Sequence, residues 1–328
     1  MRSKPAIFVV LLIVASVFVA IGPSSAVSSQ AKANVLRPHS ATKTLGIIEV
    51  AASDLAAVQL TQSAQAAAKK AGWNVLVTDA ESEPSRAVAA MEDYVARGVT
   101  GILSEIFVSS ELTTGLKAAS KAHIPVVSWG GGLAPGIGAA YDENGGDVVA
   151  RALLKAMGGK DTGSILDFTY HPGLPCLERE DSFTTVMKSY PKIKITRHEI
   201  NLVNVGVDGE STAAAWLLTS PKQPIGIFGC YDDPSVAAIA ALKQLGYKPG
   251  QVKLVGVNAG APALAAIKSG WMYGSLFFAS AATGPTLFTT IKKIIAAGSS
   301  WHQAEYQIPS IFVTRGNLAS FEAKYGDA

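Results

Sequence analysis

The chain has 328 residues, of which 48% are hydrophobic and only 16% charged, and it carries a formal charge of +3. That length suggests two domains rather than a single core, and that apolar share excludes an intrinsically disordered chain. The positive charge is small and dispersed, with no basic stripe interleaved with aromatics, which excludes nucleic acid as the partner.

Arg2 and Lys4 form a positive n-region, Ala6 to Ile21 an apolar h-region, and Ser24-Ser25-Ala26 a small-x-small cleavage site. The apolar run is short for a membrane span, which needs roughly 20 residues. Residues 1–26 are therefore expected to be a cleaved signal peptide, with a retained anchor as the alternative. No cysteine lies near the cleavage site to carry a lipid. Residues 27–43, rich in Ser, Ala and Thr, read as a loose leader. The mature protein is expected to be exported, to the periplasm or the exterior.

From Thr44 onward short apolar runs alternate with helical periods. Strands are expected at Thr44 to Val50, Trp73 to Thr78, Thr100 to Ser104, Ile124 to Ser128 and Ile137 to Tyr141. Helices at Leu55 to Ala71, Pro84 to Arg97 and Ser110 to Ala122 separate the first four. A second series follows, with helices at Gly145 to Met157, Cys176 to Ser189, Glu210 to Thr219, Pro234 to Leu245 and Ala261 to Lys268. Its strands are Ser164 to Thr169, Ile193 to Ile200, Ile225 to Cys230, Val252 to Val257 and Met272 to Phe278. A long helix opening at Pro285 and a last strand from Tyr306 to Val313 complete the chain.

Such alternation specifies doubly wound parallel sheets, and two successive series specify two of them. Right-handed crossovers place the loops after each strand on one edge of its sheet, where open α/β sheets bind ligands. Ile225 to Gly246 shows the unit most plainly: a buried strand, the polar and aromatic Tyr231-Asp232-Asp233, a Pro in the first turn, then an amphipathic helix stopped by glycine.

Export puts Cys176 and Cys230 in an oxidising compartment. Both lie near strand ends and precede helices, so they are either paired or two buried thiols. No His or Cys cluster surrounds them to make a metal site, and no cofactor motif occurs.

The motif order resembles the type I periplasmic solute-binding proteins of ABC transporters, in the sugar-binding branch related to ribose-binding protein. Gly98 to Leu103 (GVTGIL) resembles the family's GVDGII strand, and Ile124 to Val127 its IPVV. Tyr141 to Asn144 (YDEN) is similar to its SDN crossover. Glu178 to Phe183 looks like RERxxGF with Leu177 in place of the first arginine. Phe228 to Asp232 resembles FAxND, Val255 to Asn258 resembles VGFD, and Ala265 to Gly270 matches AIKxG. The resemblance implies two lobes, 44–141 plus 279–307 and 142–278 plus 308–328, joined by three crossings and closing on a solute by a hinge. It also implies a monomer that delivers the solute to an ABC permease, with no catalysis.

The resemblance places Arg179 on the arginine that grips ligand oxygens, a role suited to a planar five-donor fork. Asp54 falls on an asparagine of the first binding loop. Glu49 and Glu105 are acids at the ends of buried strands, and Glu105 joins Asp54 as a candidate to accept hydroxyls or face an amine. Trp129, Tyr141, Tyr231 and Phe278 fall at or beside contact positions and offer rings for stacking. Asp232 and Asn258 complete the candidate set. Departures are equally specific: the family's paired phenylalanines are Ala56 and Ala57, and its Asp-Arg pair is Gly130-Gly131. Its asparagine, aspartate and glutamine are Tyr231, Asn258 and Phe278. These changes point to a small polar solute with a ring face, sugar-like or amine-bearing. A ligand-sensing receptor subunit and an exported enzyme are the alternatives. Against the enzyme, His39, His123, His171, His198 and His302 have no evident nucleophile partner.

Overall fold

The computed structural model describes residues 42–326; the expected signal peptide and nearly all of the leader lie outside the described residues. The first sheet holds β1 (Thr44–Glu49), β2 (Asn74–Asp79), β3 (Gly101–Glu105), β4 (Val126–Trp129) and β5 (Ile137–Asp142). Between them run α1 (Leu55–Lys70), α2 (Pro84–Ala96) and α3 (Thr113–Lys121). The second half begins with α4 (Gly146–Ala156), β6 (Gly163–Thr169), α5 (Leu174–Met187), β7 (Ile193–Glu199) and α6 (Val205–Leu218). It continues with β8 (Ile225–Gly229), α7 (Asp232–Gln244), β9 (Val252–Val257), α8 (Ala261–Lys268) and β10 (Met272–Phe278). The chain then forms α9 (Ser280–Ala297), β11 (Ala304–Gln307), β12 (Ser310–Thr314) and α10 (Leu318–Tyr325).

Two six-stranded sheets result, ordered β2-β1-β3-β4-β5-β11 and β7-β6-β8-β9-β10-β12. Every neighbouring pair is parallel except β10 with β12, which is antiparallel. Helices cover the sheets, so β3, β4, β6 and β8 are buried along their whole length, as continuous apolar runs in parallel sheets require. Within the first sheet Tyr94 of α2 ties strand to strand: its hydroxyl donates to the Ile47 carbonyl at 2.8 Å and to Thr78 Oγ1 at 2.7 Å.

Both sheets reverse strand order at equivalent places, between β1 and β3 and between β6 and β8. The loops after these four strands form the crevice that the topology offers to a ligand. Local chemistry fixes the loops. Asp54 caps α1 by accepting the Ala57 N–H at 3.0 Å. Pro234 sits in the first turn of α7, and Gly246 (φ +79°) ends its last turn. Cys176 on α5 is bonded to Cys230 just past β8, which pins that helix to the strand end.

Three connections pass between the sheets: β5 to α4, β10 to α9, and β11 to β12. Beside them the Ile308 N–H donates to the Asp142 carbonyl at 3.0 Å. Tyr141 stacks on Tyr306 at 4.8 Å and shares a 2.7 Å hydrogen bond with Thr290.

The structure departs from the sequence reading in four places. Helix α6 begins at Val205, five residues before the expected Glu210. The long helix begins at Ser280, with Pro285 inside it rather than at its start. Tyr306 to Val313 is two strands in different sheets, broken at Ile308-Pro309, because the edge of each sheet claims one half. The terminal helix α10 was not anticipated.

Candidate functional site: a buried arginine between facing loops

Loops from the two sheets meet across the crevice. Ser53, after β1, donates to the Leu202 carbonyl at 2.8 Å. The Leu174 N–H donates to the Ile106 carbonyl at 3.1 Å, beside a bridge between Phe107 and Gly173. The Tyr170 hydroxyl bonds Ser82. Behind these contacts lies a chamber of about 30 Å³, room for about one water and too small for a sugar ring.

Arg179 lines this chamber at only 3% exposure. It stands on α5, which α4 approaches so closely that a Cβ on Gly146 would collide with the backbone of Arg179. Nη1 donates to the Cys230 carbonyl at 2.7 Å and Nη2 to the Glu143 carbonyl at 3.0 Å. Nη2 also lies 3.7 Å from the Glu143 carboxylate, and the guanidinium sits 5.6 Å over the Phe278 ring. Its Nε–H has no partner. Burial lowers the Arg179 pKa, opposed by Glu143 and Glu178, yet guanidinium stays charged in any protein.

Two carboxyls share the chamber with that charge. Glu143, buried at 3% exposure, accepts the Trp129 Nε1–H at 2.8 Å. Burial raises its pKa to about 7 against the pull of Arg179 and Trp129. Asp54 is raised by burial and lowered by the Ala57 and Ala56 amides and by Arg179. The Tyr231 hydroxyl is buried and without a partner, and burial raises its pKa well above the usual value. Asn258 completes the wall at φ +107°, an uncommon backbone setting for a residue other than glycine.

Of the nine candidate contacts, the structure brings Asp54, Trp129, Arg179, Tyr231 and Asn258 to one chamber. Asp232 and Phe278 line a neighbouring cavity instead. Asp232 is also occupied, accepting Ser275 Oγ at 2.6 Å and the Gly260 N–H at 3.1 Å, so it braces the loops after β9 and β10. Two expectations are corrected. Glu105 is fully buried behind the site, taking the Thr61 hydroxyl at 2.9 Å and the Val50 N–H at 3.4 Å. Desolvation holds its carboxyl well above the usual range. Tyr141 lies at the connection between the sheets, away from the chamber.

Sequence reasoning passed over Glu143 and Leu202, which also line the chamber. Glu143 directly follows Asp142 in the motif already singled out; its position was readable, its burial was not. Among the described residues no group of His, Cys, Asp and Glu is set to hold a metal ion, and no helix is long and apolar enough to cross a membrane.

The chain matches the family profile of the periplasmic binding protein domain over residues 47–299. It belongs to the periplasmic binding proteins. Its curated relatives include the ribose import binding protein RbsB of Haemophilus influenzae, 25% identical over 67% of this chain and 74% of that protein. The galactofuranose-binding protein YtfQ of Escherichia coli is 26% identical over 77% of this chain and 78% of its own. Both are binding proteins rather than enzymes by name. Among solved structures, a galactofuranose binding protein superposes with a TM-score of 0.78 at 19% identity, covering 86% of this chain and 98% of that one. The arabinose-transporter component from Shewanella sp. ANA-3 gives 0.76 at 18% identity over 86% and 95%. These likenesses establish the type I periplasmic binding protein fold for the two sheets described above.

Proposed function

We propose that this periplasmic binding protein is exported and captures a small, polar, sugar-like solute between two hinged lobes, then delivers it to an ABC permease. The lobes are 44–141 plus 279–307 and 142–278 plus 308–328, with the three inter-sheet connections as the hinge. Arg179 carries the reading. A guanidinium buried among carbonyls, with one N–H unpartnered in a chamber, is a costly arrangement that a ligand oxygen would complete. Asp54 and Glu143 accept solute hydroxyls or face an amine, while Trp129 and Tyr231 supply ring faces. A micromolar solute would release about 8 kcal/mol on closure, enough to hold it and still let it leave.

The test is mass spectrometry of solute co-purifying with the protein, followed by calorimetry on a panel of aldoses, polyols and amino sugars. Arg179→Lys keeps the charge but loses the fork, and is expected to weaken capture about tenfold or more. Wild-type affinity in that variant, or no binding by any member of the panel, contradicts the proposal.

A further inference from the structure

A second cavity of about 150 Å³ adjoins the Arg179 chamber. Ala56 and Asn258 line both, and Phe278 faces this annex while carrying the Arg179 guanidinium over its ring at 5.6 Å. Its other walls are largely apolar, with Leu55, Phe277, Ala281 and Tyr325 among them.

Two acids, Asp232 and Asp233, interrupt the apolar lining, together with Gln59, Asn258 and Ser280. Asp233 borders the annex, and burial, with the charge of Asp54, raises its pKa to about 7 with no hydrogen bond to oppose the rise. Asp232 beside it is spent on Ser275 and Gly260. The annex therefore combines mainly apolar, ring-sized walls with an acid, Asp233, that draws no hydrogen bond.

We infer that the annex is a second subsite, which takes an apolar ring or alkyl portion of the captured solute while the polar portion lies against Arg179. A hydroxyl or amine on that portion meets Asp233. The solute class is thus a substituted, amphipathic one, such as a polyol bearing an apolar ring, rather than a bare aldose. This rests on the crevice being the solute site, but the annex is testable by itself.

Benzyl alcohol serves as the probe, an apolar ring with one donor, read by saturation-transfer NMR on the full chain. The wild type is expected to bind it. Ala281→Phe, at an exposed rim position that borders the annex, is expected to weaken binding about tenfold. Ala282→Phe, also exposed at the rim, repeats the test if the first variant melts early. Arg179→Lys is expected to retain the probe. No binding to the wild type, or binding indifferent to both rim variants, overturns the subsite. Loss of solute capture with probe binding intact would count against the proposed function and leave the annex standing.

Discussion

Glu143→Gln tests the electrostatics of the chamber most sharply. Glu143 holds the Trp129 indole N–H at 2.8 Å and stands 3.7 Å from Arg179 Nη2, yet burial lifts its pKa from 4.5 to about 7. At 1.36 kcal/mol per pH unit, that displacement corresponds to about 3 kcal/mol. The folded chain holds this proton more tightly than the unfolded chain does. The stability that Glu143 contributes is therefore fully present below pH 4.5, is lost as pH rises through about 7, and then levels off. Gln resembles the neutral acid and still accepts the Trp129 N–H. The variant should match the wild type in acid and exceed it by up to about 3 kcal/mol above neutrality. Urea midpoints for both proteins, taken across the acid and neutral range, read the difference directly. A difference that does not change with pH, or a variant less stable than wild type in mild alkali, would refute the reasoning.

Two further predictions concern the scaffold around Arg179. Replacing Cys176 and Cys230 by serine opens a covalent loop spanning 54 residues, which should cost about 4 kcal/mol by chain entropy; an unchanged unfolding midpoint would argue against the bond. Gly146→Ala should drive α4 away from the Arg179 backbone and cost about 1–3 kcal/mol, measured by denaturant unfolding, with solute capture weakened as well. Full stability in that variant would show that the helix contact is looser than described.

The strand-loop-helix rhythm was legible because most strands are apolar runs and several helices end at a glycine such as Gly72, Gly98 or Gly246. Failures cluster where tertiary packing overrides local pattern. Pro285 reads as a helix start, but α9 packs along α1 and its Gly284 lies against the Leu60 and Ala64 backbone, so the helix extends back to Ser280. Pro309 was the available sign that Tyr306 to Val313 could not be one central strand. Leu318, Phe321 and Tyr325 carry the helical spacing of α10, a signal that was there to be read.

The site was only half legible for the same reason. Arg179 and Tyr231 follow from motif position. Glu105 is a conspicuous acid on a buried strand, but whether it faced the crevice or Thr61 depended on where α1 lies. Nothing in a single sequence states that Glu143 is buried beside a guanidinium, since burial of a charge is a property of the assembled loops.

The most direct measurement is small-angle scattering of protein stripped of solute, before and after addition of the compound identified by co-purification. Closure of the facing loops around Arg179 predicts a smaller radius of gyration on addition, reversed on dialysis and absent in Arg179→Lys at the same concentration. An unchanged radius with saturable binding would contradict capture by hinge closure.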